Sequence, residues 1–223
     1  MTVKLFISAI TKFLLGVVLV GLLIFLPAGT LSFFPGWLLM GILFVPMFFA
    51  GIVMMCKNPQ LLKTRLNAKE TQQEQRLVVK LSGVMFLAGF LVAGFGFRFH
   101  WYRLPTGVSI GAAVAFLAAY VLYAEVLREN TFLSRTIEVQ ENQTVIDTGL
   151  YGVVRHPMYS ATLLLFLSMP LVLGSLYAFL IFLVYPFIIA KRIRHEEEFL
   201  EKELDGYRAY QQKVKYRLLP FIW

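Results

Sequence analysis

The chain has 223 residues, 58% of them hydrophobic and only 15% charged, with a mean hydropathy of +0.70. A soluble domain is nearer half apolar and a quarter charged, so the composition argues for one membrane domain. The net charge of +8 flanks apolar runs instead of forming a free basic domain, which argues against nucleic acid as a partner and for membrane orientation.

A bilayer core takes about 20 apolar residues per helix. The first such run is 6–27, preceded by Lys4 and carrying Lys12, in the manner of a signal peptide. It has no small-x-small cleavage site, so it reads as a retained helix. The second run is 36–55, the third is 77–97 with Lys80 near its start, and the fourth is 107–127. The fourth, GVSIGAAVAFLAAYVLYAEVL, is rich in Gly and Ala and suits close helix approach. Cys56, the one cysteine, allows no intrachain disulfide and reads as a packing residue at a membrane end. The basic loop CKNPQLLKTRLNAKE suits anionic headgroups, and His100 and Trp101 read as interfacial residues at the opposite side. Glu125, near the end of the fourth run, is either functional or simply paired with Arg128.

The fifth apolar region, 159–190, is too long for one crossing: as one helix it would measure about 48 Å at 1.5 Å per residue, against a core of about 30 Å. Gly174-Ser175 is a natural turn, which divides the region into arms at 159–173 and 176–193. The arms read either as two short spans or as a deep re-entrant hairpin, and either version returns the chain to its starting side. Of the 21 Lys and Arg, all but Lys12, Lys80, Arg98 and Arg103 then fall at one face, among them Lys69, Arg135 and the basic residues of the tail. That bias places both termini in the cytoplasm, in a bacterial or archaeal inner membrane or the endoplasmic reticulum. The chain divides into N-terminal helices at 1–127 and a functional part at 128–223, integrated in one membrane domain. The tail is expected to stay helical to about Leu204, break at Asp205-Gly206 and resume with Tyr207 and Tyr210; its aromatic end, RLLPFIW, suits the interface.

Two polar clusters border the hairpin. ENQTVIDTGLYGVVRHPMY holds a turn at Asp147-Thr148-Gly149, then Tyr151, Gly152, Arg155, His156, Pro157 and Tyr159. A histidine that titrates near neutrality, a planar cation suited to a carboxylate and an aromatic with a polar tip make a binding site or, alternatively, an interfacial anchor. RIRHEEEFL places three glutamates directly after an apolar arm, where the positive-inside rule accounts only for the cations. Glu196 and Glu197 point roughly 100° apart on a helix, so one can face inward while the other faces solvent. The alternative is a solvated face of Glu–Arg pairs. A hairpin brings the two clusters to one depth, where they converge on one pocket. Arg135 and Glu138, in TFLSRTIEVQ, are placed to order the loop beside it.

GLYGVVRHPMY, an apolar hairpin, HEEEFL and YRAYQQKVKYRLLP together resemble the isoprenylcysteine carboxyl methyltransferase and phospholipid methyltransferase superfamily. The resemblance covers 130–223. It implies an all-α polytopic membrane enzyme that binds S-adenosylmethionine at the cytosolic face. It also implies cofactor contacts at Gly149, Tyr151, Arg155, His156, Pro157, Tyr159, Glu196 and Glu197, with Glu198 turned to solvent. Arg155, Glu196 and Lys213 are the implied catalytic residues, Lys213 standing where the carboxyl methyltransferases carry a basic residue. The tail departs from the family pattern at LDGY and VKYRLLP, and the acceptor stays open: a prenylcysteine carboxylate, a phospholipid amine or another isoprenoid-like lipid. Carboxylates suit the cofactor's amine or ribose hydroxyls, a cation suits its carboxylate, and aromatic faces suit the adenine and the sulfonium. No Gly-rich dinucleotide fingerprint is present. Two other readings stand beside this one: a sterol-reductase-type membrane enzyme with a nicotinamide phosphate cofactor, and a non-enzymatic membrane scaffold.

Overall fold

A computed structural model of the chain describes residues 3–66, 73–134 and 137–223. Lys69 and Arg135 lie outside the described residues. The fold is all-α and polytopic, and among the described residues five helical stretches are long and apolar enough to cross a membrane, the fifth being Leu176–Glu203 taken as a whole.

Each apolar run becomes a helix slightly longer than the run itself. They are α1 (Val3–Ala28), α2 (Phe34–Lys57), α4 (Gln73–Arg98) and α5 (Thr106–Glu129). Polar residues extend the ends: Lys57, Arg98 and Arg128 occupy last turns, where a cation meets unpaired carbonyls. Between α2 and α4 the basic segment is partly helical, as α3 (Pro59–Leu66). Its start follows from Asn58-Pro59: the Asn58 side-chain oxygen accepts from Leu61 N at 3.0 Å, and proline suits the first turn. α3 buries Leu61 and Leu62 and is tied to α1 by Lys12, whose Nζ donates to Leu66 O at 2.7 Å.

The hairpin forms with its turn at Gly174-Ser175. Gly174 has φ +69°, a left-handed conformation that glycine adopts without steric cost. Ser175 caps the next helix by accepting from Ala178 N at 3.2 Å, and Leu104 N, from the α4–α5 connection, donates to Gly174 O at 3.0 Å. The first arm is α6 (Pro157–Val172), 16 residues or about 24 Å, shorter than a full crossing. The second arm is two helices, α7 (Leu176–Phe182) and α8 (Tyr185–Glu203), where the sequence implied one. Pro186 explains the break at Leu183-Val184, because it has no N–H to offer the carbonyl of Phe182. α8 runs ten residues beyond the apolar arm and carries the glutamates out of the apolar zone. After the expected break at Gly206, α9 (Tyr207–Lys213) leads to the tail.

The Gly- and Ala-rich α5 packs closely against α6, as its composition suggests, though through its alanines and not its glycines. Gly107 and Gly111 face open space, and α5 packs through the buried Ala112, Phe116 and Ala119. The glycines under pressure are in α4. A Cβ at Gly94 would lie 2.7 Å from Ile24 O in α1, and one at Gly89 would lie 2.2 Å from the Phe182 ring in α7. Phe182 is wholly buried and meets Phe86 edge-on at 5.3 Å between ring centroids. Gln75, at the start of α4, is fully buried, and neither amide atom has a partner among the described residues. Leu14, Leu15, Val18, Leu19 and Leu22 of α1 are exposed, an apolar face suited to lipid. Cys56 is also exposed and does not pack, because it sits on the outer face of α2 near the exposed Ile52 and Val53.

Candidate functional site

At one end of the bundle, the loop after α5, the start of α6, the end of α8, α9 and the tail fold together. The loop is held first by Glu129, whose carboxylate oxygens accept from Leu150 N at 2.9 and 3.2 Å, at the start of a 3-10 turn (Gly149–Gly152). Gly149 makes this possible. Its φ is +52°, and a Cβ there would sit 1.7 Å from the Glu129 carboxylate. Asn130 then donates to the Tyr151 hydroxyl at 3.0 Å, and Tyr151 O accepts from the Tyr210 hydroxyl at 2.8 Å.

The tail lies extended along the start of α6. Arg155 N donates to Tyr216 O and His156 N to Arg217 O, both at 2.9 Å, and Ser160 Oγ donates to Leu218 O at 2.6 Å. This pairing delivers the Arg217 side chain to Glu197.

Glu197 is the buried hub, 3% exposed. Its Oε1 accepts from Arg155 Nε at 2.7 Å and lies 3.2 Å from His156 Nε2; its Oε2 accepts from Arg217 Nε at 2.7 Å. Arg155 also donates through Nη1 to Val214 O at 2.6 Å and Lys215 O at 2.9 Å. One carboxylate and two guanidinium groups therefore lock α8, the α6 start and the tail together. Buried charges persist when they are paired and hydrogen-bonded, as here.

Glu196, its neighbour, turns to a different space. It accepts from the Tyr159 hydroxyl at 2.5 Å, and that hydroxyl accepts from Arg192 Nε at 2.7 Å. The chain Arg192–Tyr159–Glu196 forms the floor of a pocket with about 820 Å³ of space, counting its open mouth. Arg155, His156 and Met158 also line it. The loop supplies a wall that includes Phe132, Glu138 and Val145, and α8 and α9 supply Leu200, Leu204, Tyr207 and Tyr210. Glu138 also accepts from Ser134 Oγ at 2.8 Å. Burial pushes the phenols of Tyr151, Tyr207 and Tyr210 above their ordinary value, so all three stay neutral.

Of the residues singled out from sequence, Tyr151, Arg155, His156, Tyr159 and Glu196 line this pocket together. Glu197 stands behind it in the ionic hub, and Gly149 and Pro157 shape the backbone, Pro157 as the first residue of α6. Lys213 does not reach the lining; it pairs with Asp147 at 2.6 Å on an exposed surface. Glu198 is exposed, as expected, and Glu125 pairs with Arg128 at 2.5 Å. Sequence reasoning missed Glu129, Asn130, Arg192, Tyr207 and Arg217. Only Arg192 carried a signal, standing four residues before Glu196 on one helix face.

Fold and site together define a polytopic helical protein with a pocket at one end, built by its last hairpin, the loop before it and the tail after it. Residues 106–205 match the model of the phospholipid methyltransferase family, which makes the chain similar to that family from α5 through α8. The match spans both the RHPMY element and the glutamates. The chain is also 24% identical over 139 residues to the Delta(14)-sterol reductase TM7SF2 of Mus musculus, covering 55% of this chain and 33% of that protein. It thus spans about a third of the length of this relative.

Proposed function

We propose that this protein is an S-adenosylmethionine-dependent methyltransferase acting on a lipidic acceptor, with residues 128–223 forming the donor site and 1–127 the membrane scaffold beside it. The observation that carries this reading is the pocket. Arg155, His156 and Tyr159, around the start of α6, and Glu196 of α8, 37 residues beyond Tyr159, line one cavity inside the region similar to phospholipid methyltransferases.

The lining fits the donor. Glu196 offers a carboxylate to an amine or ribose hydroxyls, Arg155 a cation to a carboxylate, and Tyr151, Tyr207 and Tyr210 neutral aromatic faces. Tyr207 adds a buried hydroxyl with no partner among the described residues. When bound, the donor supplies an electrophilic methyl group on a sulfonium centre.

What the chain contributes is orientation and a dry, fixed pocket. Arg192 and Tyr159 hold the Glu196 carboxylate in place. The Glu197 hub fixes the backbone around Arg155 and His156, so neither must be ordered when ligand arrives. Glu196 is the group assigned to contact the donor, Arg155 lines the pocket while holding the tail, and Lys213 steadies the loop through Asp147. A carboxylate acceptor needs no strong base, whereas an amine acceptor needs to be neutral, and in this reading Glu196 is the group that takes its proton. The distribution of Lys and Arg supports a cytoplasmic pocket with both termini on that side.

The test is incubation of the purified protein with methyl-labelled donor and total membrane lipid extract, with the product identified by mass. Label is expected in a lipid carboxylate or amine. The similarity to a sterol reductase favours one competing reading. That reading gains if no label transfers while a reduced nicotinamide phosphate cofactor binds saturably.

A further inference from the structure

The pocket has two chemically different ends along α8. Glu196, with Tyr159 and Arg192, makes the polar floor. Leu200 and Leu204 follow on the same face, one and two turns on, about 12 Å along the axis at 1.5 Å per residue. There they join Tyr207, Tyr210 and Val145 in a small apolar cluster separate from the membrane core, to which Tyr159 belongs.

The apolar end holds an unexplained polar group. Tyr207 is 4% exposed, lines the pocket, and its hydroxyl has no hydrogen-bond partner among the described residues. A buried hydroxyl without a partner is costly, so such a group in a cavity wall favours any ligand that satisfies it. Its surroundings limit what that ligand group is. The phenol feels the charges of Glu197 and Glu196, opposed only in part by Arg155, which favours a neutral partner, and the flanking leucines, valine and Tyr210 suit a flat ring.

We propose that Tyr207 and the α9 wall form the subsite for the adenosyl part of the donor, with the Tyr207 hydroxyl hydrogen-bonding a neutral ribose or purine group. The methionyl part then lies toward Glu196 and Tyr159, at the membrane end where a lipid acceptor arrives. This rests on the donor being an S-adenosyl compound, as proposed above.

The experiment is calorimetric binding of S-adenosylhomocysteine and of adenosine to the full-length wild type and to Tyr207→Phe, with thermal unfolding of both ligand-free proteins. Tyr207→Phe is expected to weaken both ligands by about tenfold, the range of one hydrogen bond lost. Ligand-free stability should stay the same or rise, because the variant removes an unpaired hydroxyl. Unchanged affinity for both ligands overturns the subsite alone. So does a fall in ligand-free stability, which means that the hydroxyl already has a partner. If the wild type binds neither ligand, the subsite and the methyl-donor reading fail together.

Discussion

Replacing Glu197 by alanine removes the carboxylate at the centre of the ionic hub. The variant leaves the Arg155 guanidinium, 7% exposed, with two backbone carbonyls and no counter-charge. Stranding a buried charge costs about 3–5 kcal/mol. Arg217 adds little, because its side chain is a third exposed and water screens what it loses. At roughly 2–4 °C per kcal/mol for a chain of this size, the midpoint should fall by about 10 °C. The assay is thermal unfolding in detergent micelles, and Glu197→Gln, which keeps a hydrogen-bonding side chain, should fall by less. The double variant Glu197→Ala with Arg155→Met should recover part of the loss, because no uncompensated charge remains. A midpoint within about 2 °C of wild type for Glu197→Ala would refute the hub as the lock of this site.

Gly149→Ala places a Cβ against the Glu129 carboxylate at a positive φ, so it should destabilise the loop by about 1–3 kcal/mol and weaken donor binding, read by calorimetry. Lys213→Ala breaks only an exposed pair and should cost less than about 1 kcal/mol in thermal unfolding, with little change in turnover. A large loss of turnover with intact donor binding would instead put Lys213 at the reacting centre. Gln75→Met removes two unpaired buried amide atoms at similar volume and should stabilise the protein by about 1–2 kcal/mol; a lower midpoint would show that the amide has a partner.

Hydropathy made the membrane helices legible because about 20 apolar residues in a row have few alternatives to a buried helix. The hairpin was equally readable, since 159–190 is too long for one crossing and Gly174-Ser175 interrupts it. What hydropathy cannot see is local backbone chemistry. The break between α7 and α8 hangs on the missing N–H of Pro186, and the start of α3 on Asn58-Pro59. Within the site, RHPMY and HEEEFL converge as the hairpin implied, and Glu196 and Glu197 diverge as adjacent helical positions must. Which of them meets the arginines was not readable, because that depends on where the tail passes. The tail pairs with residues 155–156 through backbone groups, which every sequence offers, and only that pairing brings Arg217 to Glu197. Tyr207 looked like one more aromatic in a helix; its significance lies in a hydroxyl left without a partner, and sequence does not record partners. Lys213 fits the family pattern by position, yet its side chain is held by Asp147, 66 residues away, outside the lining.

The central claim is that the pocket floor at Glu196 holds an S-adenosyl methyl donor. Its most direct test is titration calorimetry of S-adenosylmethionine into the purified protein and into Glu196→Gln, with unfolding midpoints confirming that both are folded. The account predicts saturable one-to-one binding to the wild type and at least about tenfold weaker binding to the variant, the scale of a charge-assisted hydrogen bond. Equal affinity for the two proteins, or no saturable binding to the wild type, would contradict it.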